Sequence, residues 1–204
     1  MTDKHFAKFS FSGSGTRPRQ TRGSNNPHGR KLKPGFKIQS NFFSKNTLWV
    51  ARNLLGKYLC RRLESGEIIS GMITETEAYR GFNDQASHAY KGRTKRTEVM
   101  FAEAGAIYVY LIYGMHHCLN IITEKNGFPA AVLIRGVAGL NGPGRVCRHF
   151  QITRALNGQK LGRDLWLEDR NVKIIRGGIT AGPRIGVNYA GASKNWPRRF
   201  FINV

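Results

Sequence analysis

Thr74-Glu75-Thr76-Glu77-Ala78-Tyr79, and further along Tyr108-Val109-Tyr110-Leu111-Ile112-Tyr113-Gly114-Met115, decide how this 204-residue chain reads. The first block ends an Ile- and Thr-rich run from Ile68 to Tyr79, the composition of a β-strand. Alternation places Ile69, Ile73, Glu75, Glu77 and Tyr79 on one face, provided no bulge interrupts the strand. Carboxylates are seldom fully buried without a partner, so acids on an apolar face mark a candidate site. Periodicity alone does not choose between Glu75 and Glu77, and a solvated strand end explains them equally well. In the second block a strand puts Tyr108 and Tyr110 on the same face, with Tyr113 near the turn at Gly114. Tyrosine joins a stacking face to a polar tip, so a cluster of them beside a carboxylate strand suits a nucleobase.

The chain carries 33 Lys+Arg against 12 Asp+Glu, a formal net charge of +21. That excess points to a polyanionic partner, because phosphate neutralisation and counterion release dominate nucleic-acid affinity. No apolar run approaches the roughly 20 residues that cross a bilayer, so no membrane association is expected. Cys60, Cys118 and Cys147 have no metal-ligand spacing and read as reduced thiols, with no metal or other cofactor.

Residues 1–40 read as a basic, disordered tail: Asp3 is their only acid, and Gly, Ser, Pro and Asn fill most of the remainder. Residues 41–204 read as one folded domain. Leu48, Ala51, Leu54 and Leu55 recur at helical spacing up to Gly56. Tyr58–Leu63 reads as a strand that turns into Ile68–Tyr79. The long connection from Arg80 to Ala106 holds His88 and five Lys/Arg from Arg80 through Arg96, and loops of that length are usually functional or disordered. Ile107–Tyr113 and Met115–Ile122 form a hairpin or bend, and Ala130–Val137 is a further strand. Pro143–Asn157 has helical character, and short strands end the chain at Phe200-Phe201-Ile202.

Taken together, Glu75-Thr76-Glu77-Ala78-Tyr79, His88, Tyr108 to Met115 and Asn120 resemble the alkyladenine (3-methylpurine) DNA glycosylase family. Gly92-Arg93-Thr94, Arg96 to Phe101, Gly142-Pro143-Gly144-Arg145 and Gly182 to Val187 follow in the family's order, so the resemblance runs from about Phe42 to the C-terminus. It implies a mixed α/β single domain with a curved antiparallel β-sheet core flanked by α-helices, which agrees with the strand-rich middle.

By the same resemblance Glu77 is the general base that activates water. Tyr79, His88, Tyr110, Asn120 and Ala86 line the pocket for an extruded purine, Asn120 by clashing with the guanine amino group. Tyr113 enters the minor groove, with Met115 beside it. Arg135 lies near the flipped nucleotide's backbone, and Arg93 and Arg96 belong to a DNA-contacting loop. The implied activity is base excision of alkylated or deaminated purines (3-methyladenine, 7-methylguanine, hypoxanthine, ethenoadenine) from double-stranded DNA, by a monofunctional, monomeric, intracellular hydrolase that leaves an abasic site. His116 departs from the family, where a Tyr is expected, as does Lys95, where a Pro is expected. Charge and aromatics alone also fit a non-catalytic basic nucleic-acid-binding protein, although neither an RNP-type motif nor a helix-turn-helix pattern is present.

Overall fold

A computed structural model of the chain describes residues 35–203. It is built around a single long strand, β3 (Ile68–Arg80), which carries the first of the two blocks quoted above. Along one edge β3 pairs with β6 (Ala130–Val137); along the other it pairs first with β2 (Tyr58–Arg62) and then with β10 (Arg199–Phe201). The ladder continues through β5 (His116–Ile122) to β4 (Ile107–Ile112) on one side, and through β8 (Leu165–Asp169) to β1 (Phe36–Lys37) on the other. β7 (Leu140–Asn141) folds back on β6, and β9 (Thr180–Gly182) extends β10. Every pairing is antiparallel, and the ten strands make one curved, unclosed sheet.

The register of β3 against β6 is irregular between Ile73 and Thr76. This corrects the expectation that Ile69 and Ile73 share a face with the acids. A bulge adds a residue to one strand and bends it, so side-chain parity reverses across it. Ile69, Ile73 and Ala78 therefore face the main core, while Glu75, Glu77 and Tyr79 face the other way. The neighbouring strands alternate in step. Ile107, Val109, Leu119, Ile121, Val132 and Ile134 enter the core, whereas Tyr108, Tyr110, Asn120, Leu133 and Arg135 look out from the opposite face.

Two helices close the core. In α2 (Thr47–Asn53) the Asn46 side chain accepts from Leu48 N–H at 3.0 Å, capping the first turn. Val50, Ala51 and Leu54 are buried, and Thr76 Oγ1 donates to the Ala51 carbonyl at 2.8 Å, fixing the helix to β3. Gly56 ends this segment at φ +78°, a conformation a Cβ disfavours. A preceding turn of helix, α1 (Ser40–Phe43), buries Phe43. α3 (Pro143–His149) starts on Pro143, whose missing N–H costs nothing there, and buries Val146 and Cys147. It is shorter than the helical reading of Pro143–Asn157: the chain leaves the helix after His149, and only a separate 3-10 turn at Arg154–Leu156 follows.

The connection from Gly81 to Ala106 packs on the sheet's other face. Its 3-10 turn at Glu98–Phe101 buries Met100 and Phe101 in a second cluster with Ala89, Tyr108, Ile122 and Ala131. The three cysteines are buried and unpaired. Among the described residues no helix is long and apolar enough to cross a membrane. Most of the segment read as a basic tail lies outside the described residues. Its end does not: Phe36 and Lys37 pair with Asp169 and Glu168, so regular pairing starts before residue 40.

Candidate active site

On the face opposite the main core, four adjacent strands floor a cleft of about 540 Å³. β3 contributes Glu77 and Tyr79, β6 contributes Leu133 and Arg135, and β5 and β4 contribute Asn120 and Tyr110. Ala86, His88 and Arg96 from the long connection form one wall, and Ile185, Val187 and Tyr189 from the segment before β10 form another.

Glu77 is the centre of this floor, and its side chain is fully buried. Its Oε2 accepts from Tyr79 Oη at 2.7 Å, and its Oε1 accepts from the Ile185 N–H at 2.9 Å. Arg135 Nε stands 3.6 Å from Oε1. Burial pushes the Glu77 carboxyl above its ordinary value, and Glu75 adds to that. The Ile185 N–H, Arg135 and Tyr79 pull it back. A carboxylate offers about four acceptor sites, so these contacts leave room for a water. Glu75 is placed differently. Arg135 Nε and Arg199 Nη1 donate to its Oε1 at 3.1 and 3.0 Å, and it lines a neighbouring cleft rather than the aromatic one.

The walls are aromatic. Tyr110 lies with its ring centroid 4.5 Å from the edge-on His88 and 5.5 Å from Tyr108. Burial holds the phenols of Tyr79 and Tyr110 above their ordinary range, so both remain neutral donors and stacking faces. His88 Nδ1 shares a 3.0 Å hydrogen bond with Tyr108 Oη. Burial, helped by the Arg96 charge, lowers the His88 pKa to about 4, so the imidazole is neutral at physiological pH. Because the folded state resists protonation, the stability this imidazole contributes is complete above its ordinary value of 6.5 and falls as the pH drops from there towards about 4. An NMR titration of the His88 ring should accordingly show no protonation down to pH 5; a midpoint near 6.5 would contradict the buried, Tyr108-bonded geometry. Asn120 is buried, and its Nδ2 donates to the carbonyls of Tyr108 and Cys118 at 3.2 and 3.3 Å, which fixes its amide in the floor.

The cleft thus sets an acid among aromatic rings on a strongly cationic chain. The sequence pattern of the Methylpurine-DNA glycosylase (MPG) family matches residues 41–140 and 138–204. The chain belongs to this family. Relatives named "Putative 3-methyladenine DNA glycosylase" include one from Methanocella arvoryzae, 46% identical over 188 residues, covering 80% of this chain and 91% of that protein. Those from Bdellovibrio bacteriovorus and Myxococcus xanthus are 41% and 44% identical, each covering 81% of this chain and 94% and 89% of theirs.

Tyr113 stands at the rim of the cleft. It is 88% exposed and sits at φ +52°, in a turn where Gly114 follows at +70° and Met115 N–H donates to the Ile112 carbonyl at 3.1 Å. Met115 is exposed beside it, outside the cleft. Of the two loop arginines, Arg96 reaches the cleft and Arg93 does not: it pairs with Glu98 at 2.6 Å and lies over the Phe101 ring. Residue-by-residue reading of the sequence assigned no role to Ile185, whose N–H holds Glu77, to Tyr189, whose Oη donates to the Ala86 carbonyl at 3.3 Å, or to Asp84. The Gly182–Val187 block was the only signal, and it marks a segment without telling what its backbone does.

Proposed function

We propose that this protein removes alkylated or deaminated purines from double-stranded DNA by hydrolysing the N-glycosidic bond of a base turned out of the helix. The observation that carries the reading is Glu77, a fully buried carboxyl at the floor of an aromatic cleft sized for a purine. The glycosidic carbon is unreachable inside a duplex, so the nucleotide must leave the stack, and Tyr79, His88 and Tyr110 offer faces to receive its base. Stacking on such rings contributes about 1–3 kcal/mol per base, with more for a cationic purine over a tyrosine face. Glu77 then accepts a proton from water as the oxygen bonds to the sugar carbon. The glycosidic electron pair leaves with the purine, and the negative carboxylate stabilises the oxocarbenium-like sugar. No lysine lines the cleft among the described residues, which favours direct hydrolysis to an abasic site over a Schiff-base route. Acting as a monomer inside the cell where the DNA lies, the enzyme would gain sequence-independent affinity from the basic residues near its N-terminus.

The deciding experiment is single-turnover base release from duplexes holding 3-methyladenine, 7-methylguanine, hypoxanthine or ethenoadenine, with strand cleavage measured before and after alkali. Base release with alkali-dependent cleavage is expected. Tight binding without release would instead support a non-catalytic nucleic-acid-binding protein.

Selectivity supplies a further test. Asn120→Gly removes a side chain from the floor where a guanine amino group would collide, so excision of guanine-type bases should rise about tenfold relative to adenine-type ones. An unchanged ratio would return Asn120 to ordinary strand structure.

A further inference from the structure

Asp84 and Arg184 form an ion pair in which neither side chain has any exposure. Arg184 Nη1 and Nη2 donate to the two Asp84 oxygens at 2.6 and 2.7 Å. Its remaining terminal N–H groups reach the Ala78 carbonyl at 2.9 Å and the Ser193 carbonyl at 3.2 Å, and its guanidinium lies 4.7 Å from the Tyr79 ring centroid. Arg198 adds a second cation, donating to Asp84 Oδ2 at 3.0 Å. A fully buried guanidinium and a partly buried one against a single buried carboxylate are a poor way to gain stability, because desolvation can exceed the Coulombic return. The arrangement does fix something else. Ala78 lies between Glu77 and Tyr79 in β3, and the residue after Arg184 is Ile185, whose N–H donates to Glu77.

We infer that the Asp84–Arg184 pair is a positioning device that holds the Ile185 N–H on Glu77 and so sets the pH range in which that acid is ionised. This rests on Glu77 being the catalytic base. The groups around Glu77 are Glu75 and Tyr79 from β3, Arg135 from β6, Tyr110 from β4, Cys118 from β5 and Tyr189 from the C-terminal wall. Arg135 and the Tyr79 hydroxyl come from the sheet itself. The Ile185 N–H comes from a segment that crosses the sheet, and its place depends on what ties that segment down. Arg184 does so with four hydrogen bonds to β3, to the loop after it and to the turn before β10.

The sign follows directly. Burial raises the Glu77 carboxyl and the Ile185 N–H lowers it, so losing that donor raises it further. The acid limb of the excision profile must then move to higher pH. A hydrogen bond to a charged group corresponds to a shift of about one pH unit or somewhat more.

The test is single-turnover release of 7-methylguanine from a duplex between about pH 4 and pH 8. That lesion is already cationic, so its departure needs no acid and the limb reports the base. Arg184→Lys keeps the charge but cannot make the two-pronged contact. Its limb should rise by about one unit, with a smaller loss of rate on the plateau. Ile185→Pro, which deletes the N–H while leaving Arg184 in place, should show the same displacement. A lower melting temperature with an unmoved limb in Arg184→Lys would make the pair purely structural and overturn the inference, as would an unmoved limb in Ile185→Pro. If Arg184→Lys does not fold, Asp84→Asn, which keeps the side chain's shape and one acceptor oxygen, is read by the same criterion. Wild-type rates in Glu77→Gln, measured alongside, would instead remove the base assignment beneath it.

Discussion

Glu77→Gln should lower single-turnover excision by about 10²–10⁴-fold while leaving the fold intact and binding to lesion-containing DNA undiminished. The geometry makes the substitution clean. The amide oxygen can keep the Ile185 N–H, and the amide nitrogen can donate to Tyr79 Oη, reversing the direction of that hydrogen bond while keeping the contact. What disappears is the ability to take a proton from water and the charge facing the sugar. Stability should hold or rise. Because burial raises the Glu77 carboxyl, its ionised form opposes folding at neutral pH, so whatever the protonated acid contributes at low pH is lost as the pH climbs through the raised value. A neutral amide escapes that penalty. Glu75→Gln should be far milder in excision, since Glu75 sits outside the aromatic cleft with Arg135 and Arg199 on it. Near wild-type excision by Glu77→Gln would remove the proposed mechanism, and an inactive Glu75→Gln beside an active Glu77→Gln would transfer the role to the other acid.

That the two acids part company with Ile69 and Ile73 was invisible in the sequence, and the reason is physical. Simple alternation sets Glu75 and Glu77 on one face with Ile69 and Ile73, and nothing in the residue types announces the irregular register at Thr74–Glu75 that reverses the parity. A bulge is a property of the partner strand and its spacing as much as of the residues it displaces. Elements specified by local rules were legible: the Asn46-capped helix ending before Gly56, the strand at Ala130–Val137, and the hairpin that turns at Tyr113-Gly114. Each depends on neighbours a few residues apart. Contacts closed over long separations were not. Asp84 meets Arg184 across one hundred residues, and a buried arginine looks in sequence like any solvated one in so basic a chain. The β1 pairing shows the same limit from another side, because Phe36 and Lys37 acquire strand structure only from Glu168 and Asp169. In the candidate site the acid, the tyrosines and Asn120 could be listed from their motifs, whereas the backbone donor at Ile185 has no side-chain signature to read.

Tyr113→Gly should weaken binding to lesion-containing duplex by about 10–100-fold while raising the protein's thermal stability, an opposition that separates function from folding at one residue. The expected loss follows from what the side chain touches. Tyr113 is 88% exposed and packs on little of its own protein, so its removal leaves no cavity. A ring at the rim of the cleft can instead enter the space an extruded nucleotide vacates, and an aromatic stacked on a base is worth about 1–3 kcal/mol, the range that gives this loss in affinity. The expected gain follows from the backbone. A non-glycine residue at φ +52° carries strain of about 1–2 kcal/mol that glycine does not. Gly114 beside it, at φ +70°, already has the residue that such a turn favours. An exposed bulky side chain in so unfavourable a conformation lowers stability without a packing return, which motivates testing it for contact with DNA. Tyr113→Ser keeps the strain and loses the ring, so it should match the glycine variant in binding without its gain in melting temperature. Excision of bases already in the cleft, measured at saturating enzyme, should fall much less than affinity in both variants. Undiminished lesion binding in the two of them would leave the strained tyrosine without the role argued here.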